Sequence, residues 1–133
     1  MIHKKEFVIS PGEMIDITGF VLKCVEESKI RQGLCSIYQP HCNCAIIVLG
    51  NKDVNIQKDV ANDFARLVPP RIDYLCADDP MEESAHTKSF IAGSAKDLAV
   101  EDGCVVLGEN RSVFLTRFAG EGTCTCVVTV IGE

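Results

Sequence analysis

Short runs rich in apolar and β-branched residues recur along the chain between more polar, turn-forming residues, and these runs predict β-strands. The predicted strands cover residues 4–10, 13–18, 34–38, 44–49, 98–100, 104–107, 113–118 and 124–131. Pro11-Gly12 separates the first two strands and favours a tight turn, so these strands are predicted to form a hairpin. The pattern therefore indicates a protein rich in β-structure.

Three other stretches follow the helical period, with apolar residues three or four positions apart. The predicted helices cover residues 19–30, 54–68 and 84–92, and residues 71–83 are predicted to form a long surface loop. Candidate capping residues begin these helices, and prolines or glycines end them. The caps are Thr18, Asp53 and Ser84, and the stops are Gly33, Pro69-Pro70 and Gly93.

The order of these elements does not alternate between strand and helix as a parallel doubly wound sheet requires. A single compact α+β domain over residues 1–133 is predicted instead, with a mostly antiparallel β-sheet or sandwich and two to three helices. A chain of this length buries roughly two-thirds of its unfolded surface around one core. A second domain would be too small.

Composition narrows the class of protein. Hydrophobic residues make up 47% and charged residues 24% of the chain, which are ordinary values for a globular protein. No apolar run approaches the roughly 20 residues of a membrane helix, and no secretory signal is recognisable, so a soluble cytoplasmic protein is expected. The net charge of -6 and the scattered basic residues argue against nucleic-acid binding. Small-molecule or protein partners, and no membrane, are expected.

Eight cysteines are an unusually high number for 133 residues, and without a signal peptide they are expected to be reduced. Most are expected to be small buried hydrophobic residues, namely Cys24, Cys35, Cys104, Cys124 and Cys126. The pairs Cys42-x-Cys44 and Cys124-x-Cys126 raise the alternative of a four-thiolate metal site. The single-residue spacer is shorter than in structural zinc sites, so core packing is favoured.

His41, Cys76 and His86 are candidate metal ligands, because two imidazoles and a thiolate suit zinc and leave one coordination position open. Their separations match no local metal motif, and a hydrogen-bonded structural histidine is the alternative at each position. Lys88 lies near a predicted helix N-terminus, where it can assist binding of a phosphate. The acidic stretch at 78–79 and 82–83 is either a magnesium site or, more simply, a solvated loop.

Asn51 and Asp53 are candidate ligand-binding residues, although a turn and a helix cap explain them equally well. Together with residues 41–45, 66–70, 84–89 and 127–133, they resemble the YjbQ-like proteins, sometimes labelled secondary thiamin-phosphate synthases. In that family residues 41–45 correspond to His-Thr-Thr-Ala-Ser and residues 51–53 to Asn-x-Asp. The final seven residues are similar almost letter for letter. The resemblance spans nearly the whole chain.

The resemblance implies a compact α+β protomer, a homotrimer, and a metal site of three histidines. His41 and His86 correspond to two of these histidines, and Cys76 stands where the third is expected. It further implies weak thiamin-phosphate synthase or other phosphate-handling activity on a small, phosphorylated ligand, with zinc as the metal. The residues predicted to carry these roles are, for catalysis, His41, His86 and Lys88; for ligand binding, Asn51, Asp53 and Arg111; and for the metal, His41, Cys76 and His86.

The chain also departs from the family pattern. Gly50 replaces an acidic residue, and residues 108–112 replace a Gly-Thr-Trp-Gln-Gly segment without its tryptophan or glutamine. These differences change what a pocket can hold. They favour an alternative function, a non-catalytic metal- or ligand-binding module or a structural homotrimer with an altered pocket.

Overall fold

Two antiparallel β-sheets form the frame of the protein in the computed structural model, which describes residues 1–76 and 79–133. The strands are β1 (Ile2–Val8), β2 (Met14–Asp16), β3 (Gln32–Tyr38), β4 (Cys44–Gly50), β5 (Ala95–Glu101), β6 (Cys104–Val105), β7 (Arg111–Arg117) and β8 (Thr123–Gly132). The helices are α1 (Thr18–Ser28), α2 (Asn55–Leu67) and α3 (Pro80–Ala92). One sheet has the order β1-β8-β3-β5-β6 and the other β2-β7-β4. The predicted α+β class is confirmed.

The main core lies between the two sheets, because alternate residues of their strands point inward. Ile37 of β3, Val128 of β8, Ile46 of β4 and Leu115 of β7 are completely buried in one cluster. Helix α1 adds its buried residues to the same cluster, and these are Val21, Cys24 and Val25. The three-stranded sheet is therefore covered by the larger sheet on one face.

Helices α2 and α3 lie on the opposite face of the three-stranded sheet. There Ala45, Ile47 and Phe114 form a second, smaller cluster of buried residues. Phe64 of α2 contacts Phe118 with ring centres 5.6 Å apart, yet α2 has no fully buried residue. Because α2 is packed loosely, cavities remain along its sides.

The predicted hairpin at the start of the chain is wrong. Strand β1 pairs with β8, whereas β2 pairs with β7 in the other sheet. Pro11-Gly12 does form a turn, with the Glu13 N–H donating to the Ser10 carbonyl at 3.1 Å. This turn carries the chain from one sheet to the other, because each strand finds a longer partner near the end of the chain.

Several predicted helix ends also differ. Thr18 does not cap α1 with its side chain; its Oγ1 accepts the Val113 N–H at 2.9 Å instead. Helix α3 begins at Pro80, four residues before the predicted cap Ser84, because Asp79 accepts the Met81 N–H at 3.2 Å. The end of the predicted 71–83 loop is therefore helical. Part of that loop, including Asp78 of the acidic stretch, lies outside the described residues.

Gly33 is predicted to end α1, but that helix ends at Ser28 and is followed by Lys29 in a left-handed conformation. Gly33 instead lies inside β3, opposite Gly132 of β8. A Cβ atom on Gly33 would overlap the Ile131 carbonyl, and one on Gly132 would overlap the Gln32 carbonyl. Two glycines are needed because the two backbones cross too closely for side chains.

We therefore predict that Gly33→Ala lowers the free energy of unfolding by about 3 kcal/mol or more, since backbone must move to admit the methyl group. Gly19→Ala is the matched control. Gly19 lies in the first turn of α1 with no atom near its Cβ position, so alanine should be neutral or stabilise by up to about 1 kcal/mol. Urea unfolding of both variants measures the difference. Equal stabilities would contradict the close crossing.

Candidate functional site

Three side chains with different donor atoms meet where β4 begins and α3 passes over it. The Cys42 Sγ is 3.4 Å from the His86 Nε2, and the Glu82 Oε1 is 3.6 Å from the same nitrogen. All three donor atoms lie within 4.8 Å of one another. Cys42 is exposed, while Glu82 and His86 are half-buried. The cluster is thus accessible from solvent and partly shielded by protein.

The bend that presents Cys42 is held by Gln39, which is completely buried. The Gln39 Nε2 donates to the Cys44 carbonyl at 2.8 Å, and its Oε1 accepts the His41 N–H at 2.8 Å. The two bonds close the residues 39–44 into a small loop, which fixes the Cys42 backbone. Buried glutamines are uncommon without such partners.

Helix α3 places the other two donors. Glu82 and His86 are four residues apart and therefore share one side of the helix. The Ser89 Oγ donates to the Cys44 carbonyl at 2.5 Å, which ties the helix to the start of β4. The Asn43 Nδ2 donates to the Glu82 Oε1 at 2.9 Å and holds that carboxylate beside Cys42.

A second carboxylate lies behind the histidine. The Glu83 Oε1 is 3.4 Å from the His86 Nδ1, and both side chains are only partly exposed. This oxygen is buried without a hydrogen-bond partner among the residues that the structure describes. A proton on the His86 Nδ1 would give this Glu83 oxygen a hydrogen-bond donor. In that tautomer the His86 Nε2 carries a lone pair that faces Cys42 and Glu82.

Of the predicted metal ligands, His86 belongs to this cluster. The His41 Nε2 accepts the Thr125 N–H at 3.3 Å, so its ring joins the bend to β8. Cys76 is exposed in the segment before α3. Within residues 1–76 and 79–133, the group of neighbouring donor atoms is Cys42, Glu82 and His86. The set of His41, Cys76 and His86 stays a prediction.

The predicted ligand-binding residues lie at the far end of the three-stranded sheet. Arg111 pairs with Gly50 at one end of the β4–β7 ladder, whereas Cys44 pairs with Arg117 at the other. The ends of a seven-residue strand are roughly 20 Å apart. The structure therefore does not bring Arg111 to His86.

Asn51 and Asp53 make structural hydrogen bonds at that far end. The Asn51 Nδ2 donates to the Ser112 Oγ at 2.7 Å, and the Asp53 Oδ1 accepts the Asn55 N–H at 2.9 Å at the start of α2. These contacts agree with the alternative interpretation, in which Asn51 is a turn residue and Asp53 caps the helix.

Lys88 is the third residue predicted to be catalytic. It is 9% exposed, and its Nζ is 5.9 Å from the centre of the Phe118 ring.

The cysteines divide into two groups. Burial is confirmed for Cys24, Cys35, Cys124 and Cys126, and it holds for Cys44 as well. Burial raises the pKa of Cys35 to about 11 and that of Cys126 to about 12, so these thiols are protonated at neutral pH. The packing prediction is wrong for Cys42 and Cys104, which are exposed. Cys42 lies in a turn and Cys104 begins a short strand at the edge of the sheet, so neither side chain is covered by other elements of the fold.

The sequence signal for the cluster was incomplete. Glu82 was visible only as part of an acidic stretch, and Gln39 carried no pattern that distinguished it from a surface residue. A stronger signal was the helical i, i+4 spacing of Glu82 and His86, which emerges once α3 is known to begin at Pro80.

The fold and this cluster together define an α+β protein of two packed antiparallel sheets, with mixed sulfur, oxygen and nitrogen donors at one edge. Comparison with known proteins then identifies the family. A family model described as UPF0047 protein YjbQ-like matches residues 5–133, so the chain belongs to the YjbQ/UPF0047 family. The resemblance seen in the sequence is confirmed at this level.

Relatives cover almost the whole chain. The UPF0047 protein YugU of Bacillus subtilis is 33% identical over 122 residues, which are 90% of this chain and 90% of the relative. A UPF0047 protein of Methanocaldococcus jannaschii is 28% identical over 91% of this chain and 86% of its own length. A crystal structure of a YjbQ/UPF0047 family protein from Clostridium acetobutylicum has a TM-score of 0.90 at 26% identity, covering 97% of this chain and 99% of that one.

No helix among the described residues is long and apolar enough to cross a membrane.

Proposed function

We propose that this protein binds a divalent metal ion, with zinc preferred, through Cys42, Glu82 and His86. The single observation that carries the proposal is the distance of at most 4.8 Å among a thiol sulfur, a carboxylate oxygen and an imidazole nitrogen. Zinc binds all three donor types, and three protein ligands leave its fourth position for water or a substrate. The two negative charges of a thiolate and a carboxylate would balance the charge of the ion.

The surroundings of the donors support this proposal. A histidine that binds metal through one nitrogen commonly donates its other N–H to a carboxylate, and Glu83 stands at that position beside His86. The Asn43 side chain likewise orients the Glu82 carboxylate through the hydrogen bond that it donates. A bound ion would therefore meet ligands whose orientation is already restricted by a second layer of contacts, and it would supply Lewis-acid chemistry at an open position.

The metal site is tested by comparing single-residue variants purified anaerobically and loaded with zinc. The unchanged protein should bind about one zinc ion per chain. Cys42→Ser and His86→Ala should each weaken the zinc affinity tenfold or more, because each removes a donor atom. Cys104→Ser, another exposed thiol, should bind like the unchanged protein. Elemental analysis after dialysis provides the readout.

Two further variants separate this ligand set from the one predicted from sequence. With Cys42, Glu82 and His86 as ligands, Cys76→Ser should retain its zinc. His41→Asn should also retain it, although that change removes the acceptor of the Thr125 N–H and lowers stability by about 1 kcal/mol. Loss of zinc from Cys76→Ser with full retention in Cys42→Ser would reverse the assignment.

A second candidate is a metal-dependent transferase of the thiamin-phosphate synthase type. An accessible metal with an open position is suited to a diphosphate oxygen, and exposed Cys42 keeps the site open to such a substrate. The test is to offer pyrimidine diphosphate and thiazole phosphate to zinc- and magnesium-loaded protein. A rate of product formation at least tenfold lower in Cys42→Ser than in the unchanged protein supports the transferase. Equal rates in the two proteins would rule out the transferase hypothesis.

We also propose that the chain forms a homotrimer in the reducing cytoplasm, where the Cys42 thiol stays available to metal. Support for assembly comes from the outer face of the five-stranded sheet, which exposes four large apolar side chains, with Leu34 and Ile131 as direct cross-strand partners. These are Ile2, Leu34, Tyr38 and Ile131, each 39% to 64% exposed. Exposed apolar faces of this kind commonly mark contacts between subunits.

Light scattering after size exclusion tests the trimer. The unchanged protein should have three times the protomer mass of 14.5 kDa, and Ile131→Asp should dissociate it because a charge on this face must be desolvated. Lys52→Asp, a charge change on an exposed residue outside that face, is the control. A monomer in the unchanged protein would contradict the proposal.

A further inference from the structure

A cavity of about 260 Å³ lies between α2, α3 and the three-stranded sheet. Phe64 and Ala61 of α2, Met81 of α3 and Phe118 after β7 give it an apolar wall, and Met14 of β2 closes one side. Since a water molecule occupies roughly 30 Å³, the cavity has room for about nine waters or an organic molecule of about ten non-hydrogen atoms. It lies near the lower limit of small-molecule sites.

Lys88 is the charged residue among the side chains that line this cavity. Lys88 is 9% exposed, and among the residues that the structure describes its ammonium group forms no hydrogen bond or ion pair and lies 5.9 Å from the centre of the Phe118 ring. The lining hydroxyl of Thr116 donates to the Glu13 carbonyl at 3.1 Å. A buried ammonium group without an anionic partner is costly, and burial lowers the pKa of Lys88.

From this arrangement we infer that the cavity binds a small carboxylate with an apolar, preferably aromatic, body, whose negative charge pairs with the Lys88 ammonium. The apolar body would occupy the space beside Phe64 and Phe118, whose rings are tilted by 53° and leave a slot between helix and sheet. One lysine matches one negative charge. The ligand supplies the ion pair that residues 1–76 and 79–133 do not provide.

A phosphate fits this cavity less well. A dianionic phosphate in protein sites takes several donors, usually backbone N–H groups or more than one cation. The lining here offers one ammonium group, and most of its surface is apolar. The chemistry of the cavity therefore favours the carboxylate.

This site is separate from the proposed metal centre. Lys88 and His86 are two residues apart in α3, which places their side chains about 200° apart around the helix axis. His86 faces Cys42 at the start of β4, whereas Lys88 faces α2 and the outer surface of the three-stranded sheet. The inference goes beyond metal binding, and failure of one site leaves the other intact.

The methionines provide a direct test. The chain has three, of which Met14 and Met81 line the cavity and Met1 immediately precedes β1. Protein carrying ¹³C-methyl methionine is titrated with phenylacetate and, in parallel, with phenylacetamide and benzylphosphonate, which share its benzyl group but carry a neutral amide or a tetrahedral phosphonate in place of the carboxylate. We expect saturable shifts of the Met14 and Met81 methyl signals and none of Met1. Phenylacetate should bind at least tenfold more tightly than either analogue.

Lys88→Met keeps the apolar bulk of the side chain and removes its charge. In this variant phenylacetate and phenylacetamide should bind equally, and Lys58→Met, a change at the exposed groove beside the cavity, should preserve the preference. Lys88→Gln serves in the same comparison if the methionine variant does not fold. Equal binding of phenylacetate and phenylacetamide to the unchanged protein, tighter binding of benzylphosphonate, or shifts confined to Met1 would each overturn the inference.

Discussion

The carbonyl oxygen of Cys44 joins the parts of the molecule that form the proposed metal centre. It accepts one hydrogen bond from the Gln39 side chain and another from the Ser89 hydroxyl, and all three residues are buried. The first bond shapes the bend that carries Cys42, and the second holds α3 against the start of β4. Because buried carbonyl groups need partners, this contact constrains both elements at once. The closeness of Cys42 and His86 follows from it.

Much of the fold was predictable because its signals are local. The β-rich apolar runs at residues 44–49 and 113–118 identify β4 and β7, and Pro69-Pro70 ends α2 as expected. Strand pairing was not predictable in the same way. Pro11-Gly12 looks like a hairpin turn in sequence, but β1 and β2 find their partners about a hundred or more residues later, and only long-range packing decides between these pairings.

The site was less predictable than the fold. The sequence pointed to His86 and to the bend around His41, but a ligand set depends on where side chains point, which changes from one residue to the next in a bend. His41 turns toward β8 and Cys42 toward α3. Because α2 packs loosely, a cavity forms beside Lys88, and no local sequence pattern predicts this cavity.

X-ray absorption at the zinc edge tests the metal centre most directly, because it counts sulfur ligands and measures their distance. Zinc-loaded protein should show one sulfur at about 2.3 Å together with nitrogen and oxygen ligands at about 2.0–2.2 Å. The sulfur contribution should vanish in Cys42→Ser and persist in Cys76→Ser. A sulfur shell that survives in Cys42→Ser, or a spectrum without sulfur in the unchanged protein, would contradict the proposed centre.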